Sequence, residues 1–223
     1  MTADLEAALG RLEDVLDGVE ANVDDFCGFC YSEADAKALA GPVDRFPQSL
    51  LTSVAMEVPD HFDDYANLYR KVTPRVMALM VRDELHVDEN LIAKRIAEVG
   101  CWSTWADDER DAMLSVCQAW WEDTLTTHPR QPEAHVVLGF LATTSVPVTH
   151  WFELWNALPP GAADLHAVDL CRRWVLQLPG DVKVGYSEDI DITADLRQWM
   201  FTDARPRLVR AEATDVLDIF DSI

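Results

Sequence analysis

The sequence predicts an all-α protein, and three observations predict it. Apolar residues recur at three- and four-residue intervals along most of the 223-residue chain. These runs end at proline, glycine or a capping residue, as helices do. No stretch alternates apolar and polar residues convincingly enough for a strand. About ten or eleven helices result, and their short connections make consecutive helices antiparallel neighbours. Two architectures suit this pattern: a globular multi-helix bundle, and a HEAT-like stack of helix pairs. Tryptophans recur at Trp120, Trp155, Trp174 and Trp199, but their intervals are uneven and give no fixed repeat period. The reading adopted is a single all-α domain over residues 1–223, in which residues 1–60 can form a smaller N-terminal subdomain.

The first helix is the clearest. Leu5, Ala8, Leu9, Leu12, Val15, Leu16 and Val19 share one face of residues 3–20, with Thr2 as cap. Ser32 and Asp35 form a capping box for a short helix that ends at Gly41-Pro42. Pro47 opens the next, which buries Leu50, Leu51, Val54 and Ala55 and stops at Pro59. Asp60 or Asp63 then caps a helix striped by Tyr65, Leu68, Tyr69 and Val72. Thr73-Pro74 is a favoured pair for a helix start, so a new helix is expected there, with one kinked helix as the alternative.

Further on, Asp88 caps a helix through Ile92 and Ile96 that Gly100 ends. Thr104 and Asp107 form a second capping box, before a helix that buries Met113, Val116, Cys117 and Trp120. Residues 128–132 are a breaker loop, followed by a helix over residues 133–142. Pro147 opens a short helix rich in aromatic residues. The next carries Leu165, Val168, Cys171, Val175 and Leu178 on one side. Residues 181–187 are a loop or a short extended piece. Thr193 then caps a helix to about Phe201, and Arg205-Pro206 leads into the last.

Composition narrows the partners. Forty acidic and 18 basic residues leave a net charge of −22, which disfavours nucleic acid and anionic membrane and suits a basic protein or peptide partner. Nearly half the residues (49%) are hydrophobic, and eight are tryptophan, which supports a packed core rather than a disordered chain. There is no secretory pattern at the start, and no run approaches the length of a membrane span. Five scattered cysteines fit a reducing cytoplasm better than a disulfide framework.

One stretch combines residue types and spacing that suggest chemistry: Cys27-Gly28-Phe29-Cys30, leading into the helix that Ser32 caps. A Cys-x-x-Cys turn can set two sulfurs on one zinc ion, as half of a tetrahedral site. His61 is the best third ligand, because it follows Pro59-Asp60 at the next helix entrance; His86 is the weaker choice, and the fourth ligand is unassigned. A redox reading has less behind it. Residues 21–26 are not a buried strand, the following helix is short, and Asp24, Asp25 and Glu33 oppose a thiolate. On the sequence alone, Cys30 is the thiol nearest the helix entrance and the one its amides would activate. Two unmodified cysteines are the plain alternative.

Other constellations fall short. Asp189, Asp191, Thr193 and Asp195 alternate like a calcium loop but lack the required glycine and glutamate, so they read as a solvated loop and cap. His166, Asp169 and Arg173 read as a surface salt-bridge row. Arg205, Arg207 and Arg210 are too few for a nucleic-acid footprint. Trp102, Trp105 and Trp121 lie off the main stripes, and Cys101, Cys117 and Cys171 behave as small core residues. No complete catalytic set is visible, and no catalytic or organic-cofactor residue is assigned. The sequence thus points to a non-enzymatic acidic helical scaffold or protein-interaction module with a structural zinc at Cys27, Cys30 and His61. The alternative is a thiol- or metal-dependent activity centred on the same pair.

Overall fold

The apolar stripes do form helices, and what they bury fixes the architecture. The computed structural model describes residues 1–186 and 188–222. They are all-α: twelve α-helices and a few 3₁₀ turns, with one two-residue antiparallel ladder, β1 (Lys183–Val184) against β2 (Ile190–Asp191). No helix among the described residues is long and apolar enough to cross a membrane. The chain divides into two compact units, Met1–Cys117 and Gln118–Ile223.

In the first unit, α1 (Ala3–Leu16) buries Leu5, Leu9, Leu12 and Leu16, and Thr2 caps it as the sequence implies. α2 (Glu33–Ala40) starts on the Ser32–Asp35 capping box: each residue's side chain accepts the other's amide, at 3.2 and 2.9 Å. α1, α3 (Gln48–Met56) and α5 (Glu89–Glu98) all pack on α4 (Tyr65–Met80). α4 differs from expectation, because it runs through Pro74 as one helix. An interior proline costs about 3 kcal/mol. Eight side chains of α4 are buried, seven of them large hydrophobic or aromatic groups worth roughly 1.5–3 kcal/mol each, so packing outweighs the break. The Thr73 hydroxyl donates back to the Tyr69 carbonyl at 2.7 Å instead of capping a new helix. Asp64, rather than Asp60 or Asp63, stands at the N-terminus of α4.

α6 (Asp107–Thr126) contains the division between the units. Its start is held by Glu109, whose carboxylate accepts the Ala106 amide at 3.1 Å and pairs with Arg70; the Thr104 hydroxyl bonds Gly100 O instead. Trp105 is buried, with its indole N–H on the Val99 carbonyl at 3.2 Å.

The second unit comprises α7 (Ala134–Leu141), α8 (Val148–Ala157), α9 (Ala162–Trp174), α10 (Thr193–Trp199), α11 (Arg205–Arg210) and α12 (Thr214–Phe220). A π-helical turn at Met200–Ala204 joins α10 to α11 without a break. Trp155 is fully buried at the centre, with Trp121 edge-on at 5.3 Å and Trp199 at 4.6 Å. The predicted stripe is buried at Val168, Cys171, Val175 and Leu178, and departs from expectation only in the first turn of α9. Leu165 is 43% exposed, whereas Asp164 and His166 are buried.

Arg207 explains the burial of Asp164. Its guanidinium is buried and donates to Asp164 at 2.7 Å and to the Trp155, Asn156 and Leu158 carbonyls at 2.7, 3.2 and 3.0 Å. These carbonyls end α8, where a cation also suits the helix dipole. Arg210 adds a two-pronged contact to Asp164 at 3.0 and 2.9 Å. Arg207 therefore works inside the fold, with Arg210 reaching the same carboxylate from the surface, while Arg205 pairs with the exposed Asp221. Burial alone would raise the Asp164 carboxyl, but the bonds from Arg210 and Arg207 outweigh it and hold the pKa below the usual aspartate range.

A carboxyl with a depressed folded pKa stabilises the fold above its unfolded pKa and loses that contribution as pH falls through the folded value. Asp164→Asn should therefore cost about 3 kcal/mol at neutral pH in urea unfolding, the lower end for a broken buried pair because Arg210 is solvent-screened. The gap between wild type and variant should narrow as pH drops below about 4. A gap that stays constant with pH would show that the charge of Asp164 is not what matters.

Candidate metal centre

The Cys-x-x-Cys turn and the turn before α4 meet through backbone pairing. Phe26 and Phe62 form an isolated antiparallel bridge. The Cys27 amide donates to the His61 carbonyl at 2.9 Å, and the Asp63 amide to the Asp25 carbonyl at 3.3 Å. Beneath them, the buried rings of Tyr31 and Phe62 pack with centroids 4.7 Å apart. His61 closes the 3₁₀ turn Pro59–His61, which the Pro59 break creates.

This pairing brings together the three residues that the sequence singles out. One donor atom each from Cys27, Cys30 and His61 lies within 4.8 Å of the others, and no other such group occurs among the described residues. A tetrahedral zinc with bonds of about 2.0–2.3 Å spaces its donors about 3.5–4 Å apart, so shifts of about 1 Å would bring all three onto one ion. The cluster could hold a metal with three protein ligands, leaving the fourth position to water or an incoming group. His86 is exposed and takes no part.

Glu57 and Tyr31 complete the arrangement, and sequence reasoning missed both. His61 Nδ1 lies 2.8 Å from Glu57 Oε1, close but poorly aligned for a hydrogen bond, which leaves Nε2 as the ring nitrogen for a ligand. The other Glu57 oxygen accepts the Tyr31 hydroxyl at 2.7 Å, and the Val58 amide donates to Oε1 at 2.8 Å. One carboxylate thus joins the residue after Cys30 to the third donor. Burial alone would raise the Glu57 carboxyl, yet the Tyr31 hydroxyl, the Val58 amide and His61 together hold it low. Glu57 in turn keeps the His61 imidazole more basic than usual. A carboxylate behind a histidine is the usual way to fix the orientation of a metal-binding ring. The available signal was the i, i+4 spacing of Glu57 and His61.

The two thiols differ, in the opposite sense to the sequence expectation. The Phe29 and Cys30 amides point at the Cys27 thiol and hold its pKa below the ordinary value, assisted by His61. Cys30 is pushed up by its surroundings, by its hydrogen bond with Cys27 and by the Cys27 and Glu57 charges. The end of α2 does not activate Cys30 because the Ser32–Asp35 box already occupies it. Burial pushes the other cysteines up, Cys117 to about 12.

In metal-free protein, Cys27 should therefore alkylate ahead of Cys30 near neutral pH although Cys30 is the more exposed, and Cys101, Cys117 and Cys171 should stay unmodified. Peptide mapping after brief iodoacetamide treatment reads the order. Faster labelling of Cys30 would mean that exposure outweighs the turn amides.

Compared with protein family models, with curated proteins and with solved structures, the chain matches none.

Proposed function

We propose that this protein is a helical scaffold in which one zinc ion, bound by Cys27, Cys30 and His61, clamps the Cys-x-x-Cys turn to the turn before α4. The observation that carries this reading is that one donor atom from each of the three residues lies within 4.8 Å of the other two. Amides that stabilise a thiolate favour the ligand form that zinc requires. Two thiolates and a neutral imidazole suit zinc better than calcium or magnesium, which take oxygen ligands. A reducing, cytoplasmic setting would keep both thiols available.

The role of the scaffold is binding rather than turnover. Phe29 favours this: it stands between the two sulfur ligands and is 98% exposed. An apolar ring on a turn carrying Asp24, Asp25 and Glu33 suits a protein or peptide partner that offers basic and apolar groups together. Phe29→Ala should leave zinc content and melting temperature unchanged while abolishing saturable, salt-sensitive capture of such a partner. Equal capture by the variant would remove Phe29 from the reading.

The deciding experiment is the metal content of native protein, by mass spectrometry, before any chelator or metal-affinity step. About one zinc per chain is expected. Zinc added to stripped protein at a hundredfold excess over its dissociation constant should stabilise the fold by about 2.7 kcal/mol. Cys27→Ala and His61→Ala should lose both the metal and this gain. Glu57→Gln should keep the metal but bind it about 10- to 100-fold more weakly, read by competition with a chromophoric chelator. Native protein without zinc, whose melting does not respond to added zinc, would end the metal proposal.

A further inference from the structure

In the row formed by His166, Asp169 and Arg173, the last two are exposed as their spacing suggests, but His166 is not. His166 is buried, with Nε2 2.8 Å from the Thr127 carbonyl, and its ring meets His128 edge-on at 4.7 Å. His128 Nε2 in turn lies 2.7 Å from Asp169. His128, His166 and Asp169 line a cavity of about 330 Å³ in the second unit, between the loop before α7 and the flank of α9. That volume lies at the lower end of the range for small-molecule sites.

The lining is the unusual part. Arg130, Arg172 and Arg173 face the cavity along with His128, His135 and His166, against only Glu133 and Asp169 as acids. With the histidines neutral, three guanidinium groups against two carboxylates leave the lining one positive charge in a chain of net −22, and Glu133 lies 3.0 Å from His135 Nδ1. Two of the arginines are held in place from behind: Arg130 donates to the buried Asp123 at 2.7 Å, and Arg172 grips Asp215 at 2.8 and 3.1 Å. A guanidinium has five donors, so the Asp215 pair fixes Arg172 without using all of them. Arg173 makes no ion pair among the described residues. Its charge is felt within the cavity, since burial and Arg173 together lower the pKa of His135.

We propose that this cavity binds a small phosphate-bearing anion. Arginine forks supplied by separate elements match the several oxygens of a phosphate better than the two of a carboxylate. The cavity exceeds a bare phosphate, which leaves room for the carbon skeleton of a phosphomonoester. The site is independent of the zinc reading: its residues all belong to the second unit.

Isothermal titration with inorganic phosphate at constant ionic strength tests the proposal, with glycerol phosphate and succinate as comparison ligands. Saturable binding of one phosphate per chain is expected. Tighter binding of glycerol phosphate identifies a phosphomonoester site, and equal binding identifies free phosphate. Arg173→Ala should weaken binding about tenfold or more while leaving the melting temperature without ligand unchanged, and Arg173→Lys should fall between the two. Absence of saturation at millimolar phosphate, succinate binding as tightly as phosphate, or undiminished binding by Arg173→Ala would overturn it.

Discussion

Two backbone hydrogen bonds, Cys27 N–H to His61 O and Asp63 N–H to Asp25 O, hold the arrangement on which the candidate metal centre depends. They join segments more than thirty residues apart in sequence. Closing a loop of about that length costs about 3 kcal/mol plus a constant. Burying Tyr31 and Phe62 between the segments contributes roughly 1.5–3 kcal/mol for each ring, so packing sustains the closure without an ion. Donors already near their final positions leave less ordering for the metal to impose. Glu57 extends this economy, since its single carboxylate contacts Tyr31 on one segment and His61 on the other.

The site was legible where its signal is local. The spacing of Cys27 and Cys30 declares a turn, and Pro59 places His61 at another, so those three residues could be named without coordinates. The local electrostatics could not. Which sulfur the turn amides face depends on how Gly28 and Phe29 are folded, and the capping box diverts the amides of α2 from Cys30. Glu57 read only as the end of a helix, because its partners Tyr31 and His61 converge on it only after the chain closes.

The fold shows the same division. Three- and four-residue periodicity identified the helices because each must bury a stripe. It failed at α4, where local chemistry at Thr73-Pro74 signals a break and the burial of residues on both sides overrides it. It fell short in the first turn of α9 for a different reason, although Val168, Cys171, Val175 and Leu178 are buried as predicted. Periodicity assigns charged and polar residues to the outside, yet Asp164 and His166 turn inward because Arg207 and the Thr127 carbonyl wait there. Neither partner is near in sequence, so no pattern within α9 could announce that these two residues are buried.

Charge acts differently at the two proposed sites. Around Cys27 and Cys30 the acids Asp24, Asp25 and Glu33 add to the field of a strongly acidic chain, which attracts a divalent cation over distance. The arginine-lined cavity works against the same field. At physiological ionic strength, however, exposed charges are largely screened beyond about 8 Å. An anion that reaches the cavity is therefore governed by the near guanidinium groups more than by the chain's total of −22. Asp123 and Asp215 offset part of the charge of two of the three and fix them in position. A net acidic surface and a local anion site can coexist because the first sets the long-range approach and the second the contacts made on arrival.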